Sequence, residues 1–269
     1  MKRTLRALAA FAVTLSLSAC FEMKSVVTVS KDGSATLEET ALVGAQLKAM
    51  LGSLGAQPGT EGQPNPAAGL KDILPDKAKA EARAKELGEG VTVKLHEEIT
   101  SPDGRSGVRV TYAVADIRKL KYVPFDAKEQ GGTSPSAMTF SLAGDTLTLV
   151  NPIEDKAGEE IPKVEPPKMP KEQMEAQMAM MKPMFAGMRM SMVVKSASGI
   201  SSSNATHLEG DTVTLMDMQF DKLLDKPELF TKFMDAADKK PNQAEMAEMF
   251  KGVDGIKVES KDTITIKLQ

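Results

Sequence analysis

The residues with the most definite chemistry are Leu17-Ser18-Ala19-Cys20, and Cys20 is the only cysteine in 269 residues. Small side chains at 18 and 19 let a peptidase reach the bond before residue 20. The Cys20 thiol is the nucleophile that takes a diacylglyceryl thioether. Lys2, Arg3 and Arg6 precede a mainly apolar run from Ala7 to Leu17. That basic, apolar, small order is a bacterial secretory signal ending in a lipobox, and its apolar part is too short to span a bilayer. The expected mature chain starts at Cys20, lipidated there and tethered outside the cytoplasm. Two or three acyl chains (a palmitate among them) hold a protein where one would not. Phe21, rather than aspartate, follows the cysteine. In a Gram-negative envelope this implies sorting to the outer membrane.

Methionine is the second chemical feature. Nine of the eighteen lie between Met169 and Met192. Met174, Met178 and Met181 recur at helical spacing, while Met188, Met190 and Met192 alternate as on one face of a strand. Thioether sulfur is a soft ligand suited to Cu(I). No His or Cys lies nearby to complete a metal site, however, and amphipathic packing needs the same spacing. The cluster therefore reads as flexible filling for a core or as an apolar groove. Met178, Met181, Met188, Met190 and Met192 are the candidate contacts for an apolar ligand, with no metal and no cofactor expected.

Other chemistry is sparse. His96 and His207 stand in no metal spacing and beside no nucleophile, and no P-loop, dinucleotide glycine pattern, nucleophile elbow or zinc motif is present. The carboxylates are scattered, so no enzymatic activity is expected. The formal charge is −3, and removing residues 1–19 takes away three basic residues and no acid, giving −6. Without a basic run, nucleic acid is not an expected partner. An acidic body gains little from anionic head groups, so the acyl chains must supply the membrane attachment.

The elements that position these residues alternate between strand hairpins and helices. Met23–Ser30 and Ala35–Val43 flank the turn Lys31-Asp32-Gly33-Ser34, where glycine can take positive φ. No long spacer separates Cys20 from this hairpin, so the folded body lies close to the bilayer. A short helix over 44–54, a Gly/Pro-rich loop over 55–69 and a helix over 70–87, with Asp76 placed to cap its main run, follow. Val91–Thr100 and Ser106–Ala115 make a second hairpin, residues 116–120 one helical turn, and 138–150 a third hairpin. Residues 151–170 hold five prolines and form the internal boundary between an N-terminal part, 20–150, and a C-terminal part, 171–269. The latter should contain a Met-rich helix over 171–184, a strand over 188–197, a polar loop over 198–209 and a partner strand over 211–220. Helical pieces over 221–225, 226–238 and 243–251 precede a last strand over 262–268. The expected fold is α+β: an antiparallel, curved sheet built from hairpins, with helices inserted and packed on one face or end.

Val26-Val-Thr-Val-Ser-Lys-Asp-Gly-Ser-Ala-Thr-Leu37, just after a lipidated cysteine, resembles the start of LppM-type bacterial lipoprotein domains. Gly90-Val-Thr-Val93, the strand Gly107–Val114 and the segment Met190–Leu215 are similar to that family's strands. The resemblance implies an envelope lipoprotein with helices packed on a curved sheet that accommodates apolar ligands. This sequence departs from the family in having no C-terminal apolar span and in its Pro-rich and Met-rich insertion. Only Cys20 carries over as a functional residue. The function expected is a lipid-anchored, non-catalytic binding module for a lipid or peptide. The alternative is a structural envelope component that binds protein partners.

Overall fold

The computed structural model describes residues 21–49, 74–123, 137–151, 185, 187–226, 228–230, 232 and 243–269. The signal segment, Cys20, most of the proline-rich boundary and the helix expected over 171–184 lie outside these residues.

The chain opens with the expected hairpin, β1 (Phe21–Val29) and β2 (Ala35–Val43). Its turn places Gly33 at φ +87°, and the Asp32 carboxylate accepts from the Ser34 amide at 2.9 Å. A helical segment, 45–49, continues from β2. Helix α1 (Lys77–Leu87) begins where the Asp76 side chain accepts from the Lys79 amide, as its capping position requires. The hairpin β3 (Val91–Thr100) and β4 (Ser106–Val114) follows, then a 3-10 turn, Ile117–Lys119, and the two-residue β5 (Lys121–Tyr122). Strands β6 (Met138–Ala143) and β7 (Thr146–Val150) form the third hairpin.

The second half runs β8 (Arg189–Ser196), β9 (Ile200–Ser203), β10 (Leu208–Glu209) and β11 (Thr212–Gln219). Helices α2 (Phe220–Leu224) and α3 (Gln243–Met249) precede β12 (Ile256–Val258) and β13 (Thr263–Leu268). Two strands thus stand in the expected loop over 198–209, and β12 adds one that the sequence reading lacks. Residues 228–230 and 232, within the helix expected over 226–238, are helical.

The strands form two open sheets. The first has the order β10-β11-β8-β1-β2-β4-β3, with β12 also on β11, and the second the order β5-β6-β7-β13-β9. The fold is α+β and mostly sheet, but the first sheet is mixed rather than antiparallel. Strand β1 pairs β2 antiparallel on one side and β8 parallel on the other, Glu22 opposite Arg189 through Val29 opposite Ser196. Hairpins fix only antiparallel neighbours. Strands about 170 residues apart meet through a long crossover that leaves no local signal.

One large buried cluster joins the sheets. Val27, Val29, Leu37, Val110, Tyr112, Met192, Val194 and Val213 meet Tyr122, Phe140, Leu147, Leu149, Ile264 and Ile266 in it. Ala80, Ala84 and Leu87 bring α1 onto the same core. Gly107 marks the closest approach of β4 to β2, where a Cβ would fall 1.8 Å from the Ala41 carbonyl oxygen. A second apolar cluster lies where β8 and β11 meet α2 and α3.

Candidate functional site

The second cluster is where two of the expected methionines, Met188 and Met190, converge with several unexpected ones. Met190 and Met192 share a face of β8, but that face serves two clusters. Met192 is buried in the large core, whereas Met190 and the preceding Met188 are half-buried against the second cluster. Met188 itself stands just before β8, its amide donating to the Phe185 carbonyl at 2.9 Å. Met178, Met181 and Cys20 lie outside the described residues.

Strand β11 supplies Met216 and Met218. Strict alternation from the buried Val213 and Leu215 would point both methionines away from the core and turn Asp217 inward. Instead the register between β11 and β8 shifts between Thr214 and Met216, and this bulge re-phases the strand. Met216 then stands opposite Met192, and Met218 opposite Met190. The Leu215 carbonyl, in the bulge, accepts from the Glu259 amide at 2.9 Å. Met190 is also the register partner of Met23 on β1.

Helices and aromatics close over these thioethers. Phe185 stacks on Phe220 with ring centroids 6.2 Å apart and meets Phe230 edge-on at 6.4 Å. Leu223, Leu224, Phe250, Met246 and Met249 complete the cover. Among the described residues, six of the seventeen apolar side chains in this cluster are methionine, against three of thirty-two in the large core. Leu would fill a static core as well, so this segregation favours a surface that must adapt to what lies on it. The sequence could not show it, because it depends on a bulge and on strands far apart in the chain.

Two polar constellations also assemble from distant residues, and neither was visible in the sequence. In the first, Arg83 on α1 donates Nε and Nη2 to both carboxylate oxygens of Glu39 on β2, at 2.9 and 2.8 Å, and Nη2 also to the Val123 carbonyl. The Tyr122 hydroxyl lies 2.6 Å from Ser25 Oγ and 3.1 Å from Glu39 Oε1, with Arg83 over its ring. The hydroxyl of Tyr112 is buried nearby with no hydrogen-bond partner among the described residues. Burial, reinforced by the Glu39 charge, raises both tyrosines well above the ordinary phenol range. For Arg83, burial pulls the pKa down, but Glu39 more than offsets it and the net shift is upward. Arg83 and the two tyrosines therefore keep their protons, which suits a clamp between layers and not a proton shuttle.

In the second, the fully buried Glu259 carboxylate accepts from the Thr206 amide (2.6 Å) and hydroxyl (2.7 Å) and from the amides of Ser260 (2.9 Å) and Lys261 (3.1 Å). All of these donors belong to the protein, so this is a loop staple. Each half-buried histidine engages a main-chain carbonyl, His96 that of Pro75 at 2.9 Å and His207 that of Val258 at 3.3 Å. Among the described residues no three His, Cys, Asp or Glu side chains are grouped to hold a metal. No helix among them is long and apolar enough to cross a membrane.

No family model and no curated protein matches the chain. Among solved structures, the chain is similar to the NMR structure of the Mycobacterium tuberculosis LppM folded domain. The match has 12% identity and covers 75% of this chain and 84% of that one, with a TM-score of 0.30. That is a distant relation in fold, and no role is transferred through it.

Proposed function

We propose that this chain is a lipid-anchored lipoprotein of the bacterial cell envelope, held outside the cytoplasm by acyl chains on Cys20. Its β-rich body binds an apolar ligand, a lipid or a peptide, on the methionine face of β8 and β11 beneath α2 and α3. The role is non-catalytic and needs no cofactor. The observation that carries the reading is the segregation of methionine into the second cluster, with Met188, Met190, Met216, Met246 and Met249 only half-buried there. Flexible, polarizable side chains at partial exposure suit a surface that accommodates ligands of varied shape.

Native mass spectrometry on the chain carrying Cys20→Ser, purified from a bacterial envelope extract, tests it. A co-purifying mass released by organic solvent is the expected result. A bare polypeptide mass that added lipids leave unchanged would overturn it and favour a scaffold that binds envelope proteins through its helices.

A further inference from the structure

We infer that Met23, Met190 and Met218 form a thioether site for a soft monovalent cation, Cu(I). The inference goes beyond apolar-ligand binding and does not depend on it. The three methionines occupy one register row on three adjacent strands, Met23 opposite Met190 across β1 and β8, and Met190 opposite Met218 across β8 and β11. Alternation puts Met23 on the face of Ser25 and Val27, and Met190 on the face of Met192 and Val194, so the row points to one side of the sheet.

Neighbouring strands lie about 4.8 Å apart. An unbranched side chain with three rotatable bonds can cross that gap, so the outer two sulfurs can meet the central one above Met190. Next in the row beyond Met23 comes Ala41, its partner on β2, whose small side chain leaves room there. Beyond Met218 comes Ile256, which closes the other end.

The chemistry selects the ion. Three neutral thioethers are soft donors that favour Cu(I) over hard cations. No carboxylate stands in the row to attract calcium or magnesium, which take oxygen ligands. A single positive charge is also the least costly to take into an apolar setting. Met23 and Met190 are half-buried, which leaves a route in, while Met218 is buried at the floor. The methionine run in the sequence supplies only one of the three donors. Strands β1 and β11 bring the others.

The test uses residues 20–269 with Cys20→Ser and 13C-labelled methionine methyl groups, titrated with silver nitrate as the redox-inert probe and with Cu(I) under anaerobic conditions. One equivalent should shift three methyl signals, assigned by their disappearance in Met23→Leu, Met190→Leu and Met218→Leu. Each variant should weaken Ag(I) binding at least tenfold with its thermal midpoint maintained, since leucine preserves volume and apolarity. Apolar-ligand binding, scored by native mass spectrometry on Met23→Leu, whose side chain is outside the second apolar cluster, should persist, which separates this site from the function proposed above. First-equivalent shifts confined to other methionines, or affinity unchanged in all three variants, would overturn the inference. X-ray absorption on the unsubstituted protein gives an answer even if a variant fails to fold. Three sulfur neighbours are expected, and nitrogen or oxygen neighbours would refute the site.

Discussion

At the scale of single residues, the strongest constraints are charges held in partial burial. Arg83 and Glu39 have side chains only 16% and 20% exposed, and they join α1 to the first sheet beside Tyr122 of the second. Removing one partner leaves the other buried and uncompensated, so Arg83→Met should cost about 3 kcal/mol in urea unfolding. Replacing both with apolar residues should cost much less, and equal losses in the single and double variants would refute the clamp. Tyr122→Phe removes one hydroxyl from the network and should cost about 1–2 kcal/mol. The tyrosines also set an alkaline limb. Their folded pKa values lie above the unfolded value near 10, so the folded state holds these protons more tightly. Their contribution is complete below about pH 10 and is lost as pH rises beyond it. Unfolding monitored against pH should show stability falling above pH 10, less steeply in Tyr122→Phe. Asp103 acts at the other extreme. Hydrogen bonds, that from Arg105 foremost and then Ser101, hold its pKa down at about 2. Its contribution is present above the unfolded value and disappears as pH falls through 2, so Asp103→Asn should flatten stability between about pH 4 and 2.

At the scale of elements, the parts that the sequence made legible are those whose causes are local. The turn at Asp32-Gly33, the Asp76 cap and the three hairpins each arise within a few residues, and each stands where it was expected. What escaped has distant causes. The parallel pairing of β1 with β8 gives no signal in either strand, and β9 departs to the second sheet only three residues after β8 ends. The site suffered in the same way. Met188 and Met190 were found from alternation, but Met216 and Met218 reach the same face only through the bulge at Leu215. Deleting Leu215 removes the extra residue and leaves Met216 opposite Met192 and Met218 opposite Met190 in continuous pairing. That variant should keep the near-ultraviolet aromatic signal of the second cluster while losing stability through the missing Leu215 side chain in the large core, and loss of the aromatic signal would show that register alone does not set the face. Gly107→Ala tests the pairing of β2 with β4. Its Cβ would collide with the Ala41 carbonyl oxygen, so unfolding should show a loss of about 2–4 kcal/mol.

At the scale of the molecule, the start of β1 dictates orientation once Cys20 is acylated. Phe21 is already paired with Val43, and Val43 with Ser106, so no spacer separates the anchor from the end of the sheet. The same end carries the turn at 101–105, the beginning of β8 at Arg189 and the end of β11 at Gln219, from which α2 continues. The opposite end carries the turn after β1, whose nine residues at about 3.3 Å each put it roughly 30 Å away. An acyl anchor at one end of a stiff sheet turns that end to the bilayer, and the methionine cluster lies beside α2 at that end, where a lipid leaving the membrane would first meet the protein. Acylation consumes the only native thiol, so a single introduced cysteine can be labelled without ambiguity. In the acylated protein on vesicles, a fluorophore at Pro102→Cys should be quenched by lipid-borne quenchers, and one at Lys31→Cys should not. Equal quenching at both positions would mean that the sheet lies flat on the membrane or swings freely. Stronger quenching at 31 would place the anchor's end away from the bilayer and overturn the orientation outright.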